Sequence, residues 1–305
     1  MIEQSLIFGP ERHLVGTVTL PEQPVVGQVM LLLTNAGVIP RVGPHRVNVK
    51  LARHFAQQGI AAMRFDLSGL GDSRRSSSRL PTGEQFVADT RAAMDLAEQR
   101  YGCNRFFMIG FCSGADIAHL TALEDPRLRA LLMWDSYVYP NTKAKLLGFA
   151  HRIRRHGLAP ALFKATRFIG AALQSRKASA QTGAEPEGPV IFGRTRMPPR
   201  EEFGQRIHSL VKGGVEIYFI YSGGEPDWYN YRSQFHDMFR EFGFVDEVAY
   251  DYLEQSDHTL TQPHAQAALI EHVQRWFQSR AVKVLQRADL GAADTTAAEP
   301  ALQVA

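Results

Sequence analysis

Cysteine is scarce in this 305-residue chain, which carries only Cys103 and Cys112. Two cysteines make no disulfide framework, and neither stands at the spacing of a zinc site. The chain therefore reads as a protein of a reducing, cytoplasmic compartment, with no metal and no cofactor called for. Long apolar runs are missing too. The segment Met1 to Leu20 carries Glu3, Glu11, Arg12 and His13 and is too polar for a signal peptide. No stretch elsewhere is long enough to span a membrane. Net charge is small, +3, too little to argue for nucleic acid as a partner. With 45% hydrophobic and 21% charged residues the composition is that of a globular protein, and the length suits one large α/β domain with an insertion.

What is present is an alternation of short apolar runs and helical patterns. Leu14 to Leu20 alternates like a strand, and Val25 to Thr34 is a continuous apolar run that suits a strand buried on both faces. Asn48 to Gln58 has helical spacing and stops at Gly59. Strand patterns follow at Ile60 to Phe65, Phe106 to Gly110 and Leu128 to Trp134, with helices at Phe86 to Arg100 and Ala115 to Leu123 between them. This rhythm implies a mostly parallel sheet with right-handed crossovers. It breaks after Tyr139. Residues 140–212 show helical patches, Lys145 to His156 and Leu162 to Leu173, and a Gly/Pro/Ser-containing piece, Ser175 to Pro199. Strands resume at Val215 to Tyr221 and Val245 to Leu253, and a helix, His264 to Phe277, closes the core. The expected organisation is a core formed by 1–139 and 213–280, an inserted cap at 140–212, and a mobile tail at 281–305.

Chemistry concentrates in IGFCSGAD, residues 109–116, where Gly110, Cys112 and Gly114 form G-x-C-x-G between a strand and a helix. The pattern resembles the nucleophile elbow of the α/β-hydrolase superfamily, with cysteine in the serine position. Glycines are needed there because side chains two residues either side of the nucleophile would collide with the neighbouring strand and helix. The helix N-terminus behind the elbow favours thiolate. The turn DLSGLGDS, residues 66–73, resembles the D-x-x-G-x-G-x-S turn of the same superfamily, and the resemblance extends over most of the chain.

The resemblance implies an α/β-hydrolase fold and a triad. Cys112 would be the nucleophile and His258, in QSDHTLTQPHA before the last helix, the general base, with His264 as its alternative. The acid would be Asp227, in the G-x-x-D pattern begun by Gly224, with Glu225 or Asp135 as alternatives. The loop NAGVIP, residues 35–40, stands where the family usually has His-Gly, so one oxyanion N–H would come from Ala36, Gly37 or Val38 and the other from Ser113. Arg41 and Arg46 (with His45 between them) are candidates to bind a carboxylate or phosphate of the substrate.

Cysteine at the elbow implies a thioester acyl-enzyme, suited to transfer as well as hydrolysis. It is similar to dienelactone hydrolases, polyhydroxyalkanoate synthases and the aminoacyl shuttles of nonribosomal peptide pathways. The insert 140–212 holds five Lys and nine Arg against four Glu and no Asp, a surplus of ten positive charges. Such a cap favours an anionic partner, which would be a phosphopantetheine arm, an acidic carrier protein, coenzyme A or a lipid surface; the alternative is a solvated pair of basic helices. The competing reading is a binding protein or receptor that uses a hydrolase scaffold without turnover.

Overall fold

The computed structural model describes residues 1–23, 28–157 and 197–286. An eight-stranded sheet forms the centre, in the order β1-β2-β4-β3-β5-β6-β7-β8. The strands are β1 (Ile2–Phe8), β2 (Leu14–Leu20), β3 (Val29–Leu33), β4 (Ala61–Asp66), β5 (Arg105–Phe111), β6 (Leu128–Trp134), β7 (Glu216–Ser222) and β8 (Ala249–Leu253). β2 runs antiparallel to both β1 and β4, and all other neighbours are parallel.

The central strands are mainly apolar because both faces are covered, with charged residues such as Arg105, Arg129 and Glu216 near their starts. In β3, Met30 and Leu32 enter one core, while Val29, Leu31 and Leu33 enter the other. β5 divides likewise, Phe106 and Met108 against Phe107, Ile109 and Phe111. The first core is closed by α2 (Thr82–Tyr101), α3 (Ser113–Glu124), α5 (Arg200–Lys212) and α6 (Gln234–Phe239). The second is closed by α1 (Val47–Gln57) and α7 (Pro263–Trp276), where Phe55, Phe107 and Phe277 meet edge-to-face or tilted with ring centroids 4.8–5.2 Å apart.

β1 escaped the sequence reading because it is an edge strand with mostly exposed residues, and α6 because it is only six residues long. The chain expected to become a tail at 281 instead continues through a π-helical turn (Phe277–Ala281) into α8 (Val282–Gln286), with Ala281 and Leu285 buried. Between β6 and β7 the described part of the insert is α4 (Thr142–His156) and α5. The expected helix at Leu162 to Leu173 and most of the Ser175 to Pro199 piece lie outside the described residues, as does 287–305. Among the described residues no helix is long and apolar enough to cross a membrane, and no group of His, Cys, Asp and Glu is arranged to hold a metal.

Candidate active site

β5 delivers Cys112 to the C-terminal edge of the sheet. Its backbone takes φ 54°, ψ −118°, a strained left-handed turn for a non-glycine residue, and its N–H is held by the Trp134 carbonyl at 2.9 Å. The flanking glycines are forced by space. A Cβ on Gly110 would lie 2.3 Å from the Gly114 carbonyl oxygen, and one on Gly114 would lie 2.7 Å from that of Asn35. The two glycines thus let strand, helix and the loop after β3 meet closely at this point.

His258 reaches the site from the loop before α7. Its Nδ1 is 2.8 Å from Asp135 Oδ2, its ring is hydrogen-bonded to the Cys112 side chain, and its carbonyl accepts the Trp134 indole N–H at 3.0 Å. The hydrogen bond to Asp135 and that to Cys112 together push the imidazole up to about 10, against the opposing effect of burial. A protonated imidazole facing the sulfur favours thiolate.

The carboxylate that meets His258 is therefore Asp135, directly after β6, and not Asp227. Asp135 is buried and fully engaged. Its Oδ1 accepts the Ser222 N–H at 2.7 Å, and its Oδ2 accepts the Ser222 hydroxyl at 2.7 Å as well as facing the imidazole. Asp227 instead pairs with Arg152 of α4 at 3.0 Å. Glu225 is exposed and its carbonyl opens the turn to Trp228 and Tyr229. His264 is exposed at the start of α7. The glycine that begins the G-x-x-D pattern serves the histidine instead: a Cβ on Gly224 would lie 2.4 Å from the His258 nitrogen, while one on the preceding Gly223 would strike the Glu254 carbonyl. The signal for Asp135 is present in the sequence as a carboxylate and a serine, Asp135-Ser136, directly after the apolar run Ala130 to Trp134, but the left-handed φ of 46° at Asp135 leaves no mark in residue type.

Opposite the imidazole lies the loop 35–41. Ala36 and Ile39 close on each other in an isolated bridge, Ile39 N–H to Ala36 carbonyl at 3.0 Å and the reverse at 3.4 Å. The Gly37 N–H donates to the Ser113 hydroxyl at 2.8 Å. The loop is anchored from below by Asp66, a fully buried carboxylate that sequence reading had placed only within a structural turn. It accepts the Asn35 amide at 3.0 Å, the Arg41 backbone N–H at 2.6 Å, the Arg41 guanidinium at 2.5 Å and the Asp72 N–H at 3.1 Å. A Cβ on Gly71 would strike this carboxylate at 2.4 Å, which accounts for the second glycine of DLSGLGDS. Arg41, expected to bind substrate, is thus occupied by Asp66 and by Asp72 at 2.7 Å. His45 and Arg46 are exposed, in consecutive left-handed conformations before α1.

The strand order, the elbow after β5 and the histidine before α7 define an α/β-hydrolase fold, and comparison with known proteins agrees. Residues 45–182, less than half of the chain, match the family model described as serine aminopeptidase, S33; position 112 is cysteine here. No curated protein matches the sequence. Among solved structures, an α/β serine hydrolase without lid from Xanthomonas campestris is 14% identical, with a TM-score of 0.54 over 94% of this chain and 96% of that one. An esterase from Pyrococcus furiosus is 13% identical, TM-score 0.57, over 91% and 90%. A proline iminopeptidase from Mycobacterium smegmatis is 16% identical, TM-score 0.53, over 90% and 98%.

Proposed function

We propose that this chain is an acyl-processing enzyme of the hydrolase type that works through Cys112, His258 and Asp135. One observation carries the reading: a cysteine in a left-handed turn between two sterically required glycines, hydrogen-bonded to an imidazole whose other nitrogen meets a buried carboxylate. Asp135 holds the imidazole tautomer and stabilises its charge. The Cys112 thiolate attacks the acyl carbonyl carbon, the C–S bond forms and the carbonyl electron pair moves onto oxygen. The Ser113 N–H and one N–H of the 36–38 turn serve that oxygen as donors. Collapse breaks the bond to the leaving group, which takes the proton from His258. Water or an acceptor then gives its proton to His258, attacks the thioester and releases the enzyme.

The cysteine favours thioester donors, since an acyl group moving from thioester to thioester changes little in energy. The described face of the insert favours an anionic one. α4 has no acidic residue, and Lys145, Arg154 and Arg155 are exposed on it. A carrier protein or coenzyme A thioester is the donor we assign.

Intact-mass spectrometry after exposure to a panel of acyl esters and thioesters tests this. Wild type should gain one acyl group, lost again to water or to an added amine or thiol, and Cys112→Ala should gain none. An alanine variant that still acquires acyl mass, or keeps wild-type turnover, overturns the nucleophile.

A further inference from the structure

The residue after the nucleophile contributes more than its backbone. We propose that the Ser113 hydroxyl is a positioning group that fixes the oxyanion-binding turn against the nucleophile helix, and that the loop's donor to the oxyanion is the Val38 N–H. The proposal rests on Cys112 being the nucleophile.

The geometry is specific. Ser113 is the first residue of α3, is 3% exposed, and takes the Gly37 N–H at 2.8 Å. A hydroxyl has two acceptor lone pairs, so it can hold this N–H without giving up its own proton. Of the four N–H groups from Ala36 to Ile39, three are engaged inside the protein: Ala36 with Ile39, Ile39 with Ala36, and Gly37 with Ser113. The Gly37 N–H, a candidate donor from sequence, is spent on the tether, and the role passes to its neighbour. Gly37 has φ 58°, and a Cβ there would meet nothing within 4 Å, so this glycine is required by the dihedral alone. The turn is therefore built to aim an amide at Ser113.

The base of the loop has its own anchors. Asp66 clamps Asn35 and Arg41 from the end of β4, and the Asn35 carbonyl rests on Gly114. Among the described residues, the Ser113 hydroxyl is the hydrogen-bonding group that links the tip of the turn to the helix that carries the other oxyanion donor, the Ser113 N–H, one of the helix-start amides that have no intrahelical partner. Its length sets the separation of the two donors. Preorganised donors stabilise a developing oxyanion strongly only when held in place before the charge forms.

Two reactions of the same sulfur separate this role from a general one. Acylation of Cys112 by p-nitrophenyl acetate forms an oxyanion; alkylation by iodoacetamide displaces iodide and forms none. Ser113→Ala should slow acylation by about ten- to a hundredfold, mainly in kcat with KM little changed, while alkylation of Cys112 proceeds at the wild-type rate. Ser113→Thr, which keeps the hydroxyl, should recover most of the loss. Equal loss in both reactions would make Ser113 a structural support of the elbow and overturn the proposal. So would unchanged or faster acylation in Ser113→Ala, the latter meaning that the hydroxyl masks a donor. Wild-type Cys112 that alkylates but never acylates would instead overturn the nucleophile assignment, and this proposal with it.

Discussion

Asp135 sits at φ 46° with its N–H bound to the Ile220 carbonyl at 2.9 Å, so both its backbone and its carboxylate are fixed by β7. That rigidity is what an orienting acid needs: an imidazole pinned at Nδ1 can present only Nε2 to the sulfur. Asp135→Asn keeps the shape and removes the charge, and it should cut the acylation rate on the order of a hundredfold or more. Asp227→Asn, which weakens a partly exposed ion pair with Arg152, should change it little, since such pairs are worth about 0–1 kcal/mol. The reverse ranking would return the acid to Asp227. The same variant carries a pH signature. His258 is held at about 10 in the folded state, above its ordinary value near 6.5. The stabilisation is complete below about pH 6.5 and is lost as pH rises toward 10. The Tm advantage of wild type over Asp135→Asn should therefore shrink between these limits, and a constant gap would show that the imidazolium is not stabilised by Asp135.

At the scale of elements, the site is a meeting of four loop ends, and glycine decides how closely they meet. Gly224 illustrates it. Its Cβ would lie 2.4 Å from the His258 nitrogen and 2.9 Å from Asp257 Cα, both backbone, so neither can step aside. Gly224→Ala should shift the histidine loop, lower kcat and cost about 1–3 kcal/mol of stability. Gly102, which ends α2 at φ 69° with nothing within 4 Å of its Cβ, is the comparison. Gly102→Ala should cost about 1–2 kcal/mol through its dihedral alone and leave kcat at wild type. If the two variants lose stability without differing in kcat, the contact at Gly224 does not position His258. These contacts also explain what could be read from residue order. The apolar runs of β3 to β7, each divided between two cores, announce a buried parallel sheet, and G-x-C-x-G announces the elbow because the motif is contiguous, although the atoms that exclude a side chain belong to Gly114 for Gly110 and to the distant Asn35 for Gly114. Gly224 is equally demanded, but by Asp257 and His258 far along the chain, so in the sequence its G-x-x-D spacing to Asp227 reads as the mark of an acid. Asp66 was hidden for the same reason: four of its hydrogen bonds reach Asn35, Arg41 and Asp72, and only the last is near in sequence.

For the whole molecule, the modest net charge conceals an uneven distribution, and the described part of that unevenness is α4. It seats on the core through specific contacts. Arg152 pairs with Asp227, the Asn141 amide donates to the Tyr231 hydroxyl at 2.6 Å, the Asn230 amide donates to the Ala144 carbonyl at 2.9 Å, and Lys143 lies over the Tyr231 ring. Arg152 and Lys143 thus hold the helix down, whereas Lys145, Arg154 and Arg155 are exposed beside Leu146 and Leu147, which are 65% and 41% exposed. Charges that serve docking can therefore be reversed without unseating the helix. A variant with Lys145→Glu, Arg154→Glu and Arg155→Glu should raise KM for a coenzyme A thioester or carrier-bound substrate on the order of tenfold at low salt. The difference from wild type should narrow toward 1 M salt, because the screening length falls from about 10 Å at 0.1 M to about 3 Å there. A small neutral ester, reaching the same Cys112 without crossing a long-range field, should be processed by both proteins with the same KM at every salt concentration. Equal changes for the charged and the neutral substrate would mean that the substitutions disturb the site itself. A salt-independent KM for the charged one would mean that this face of α4 takes no part in its approach, and the enzyme would then be a hydrolase of small neutral esters.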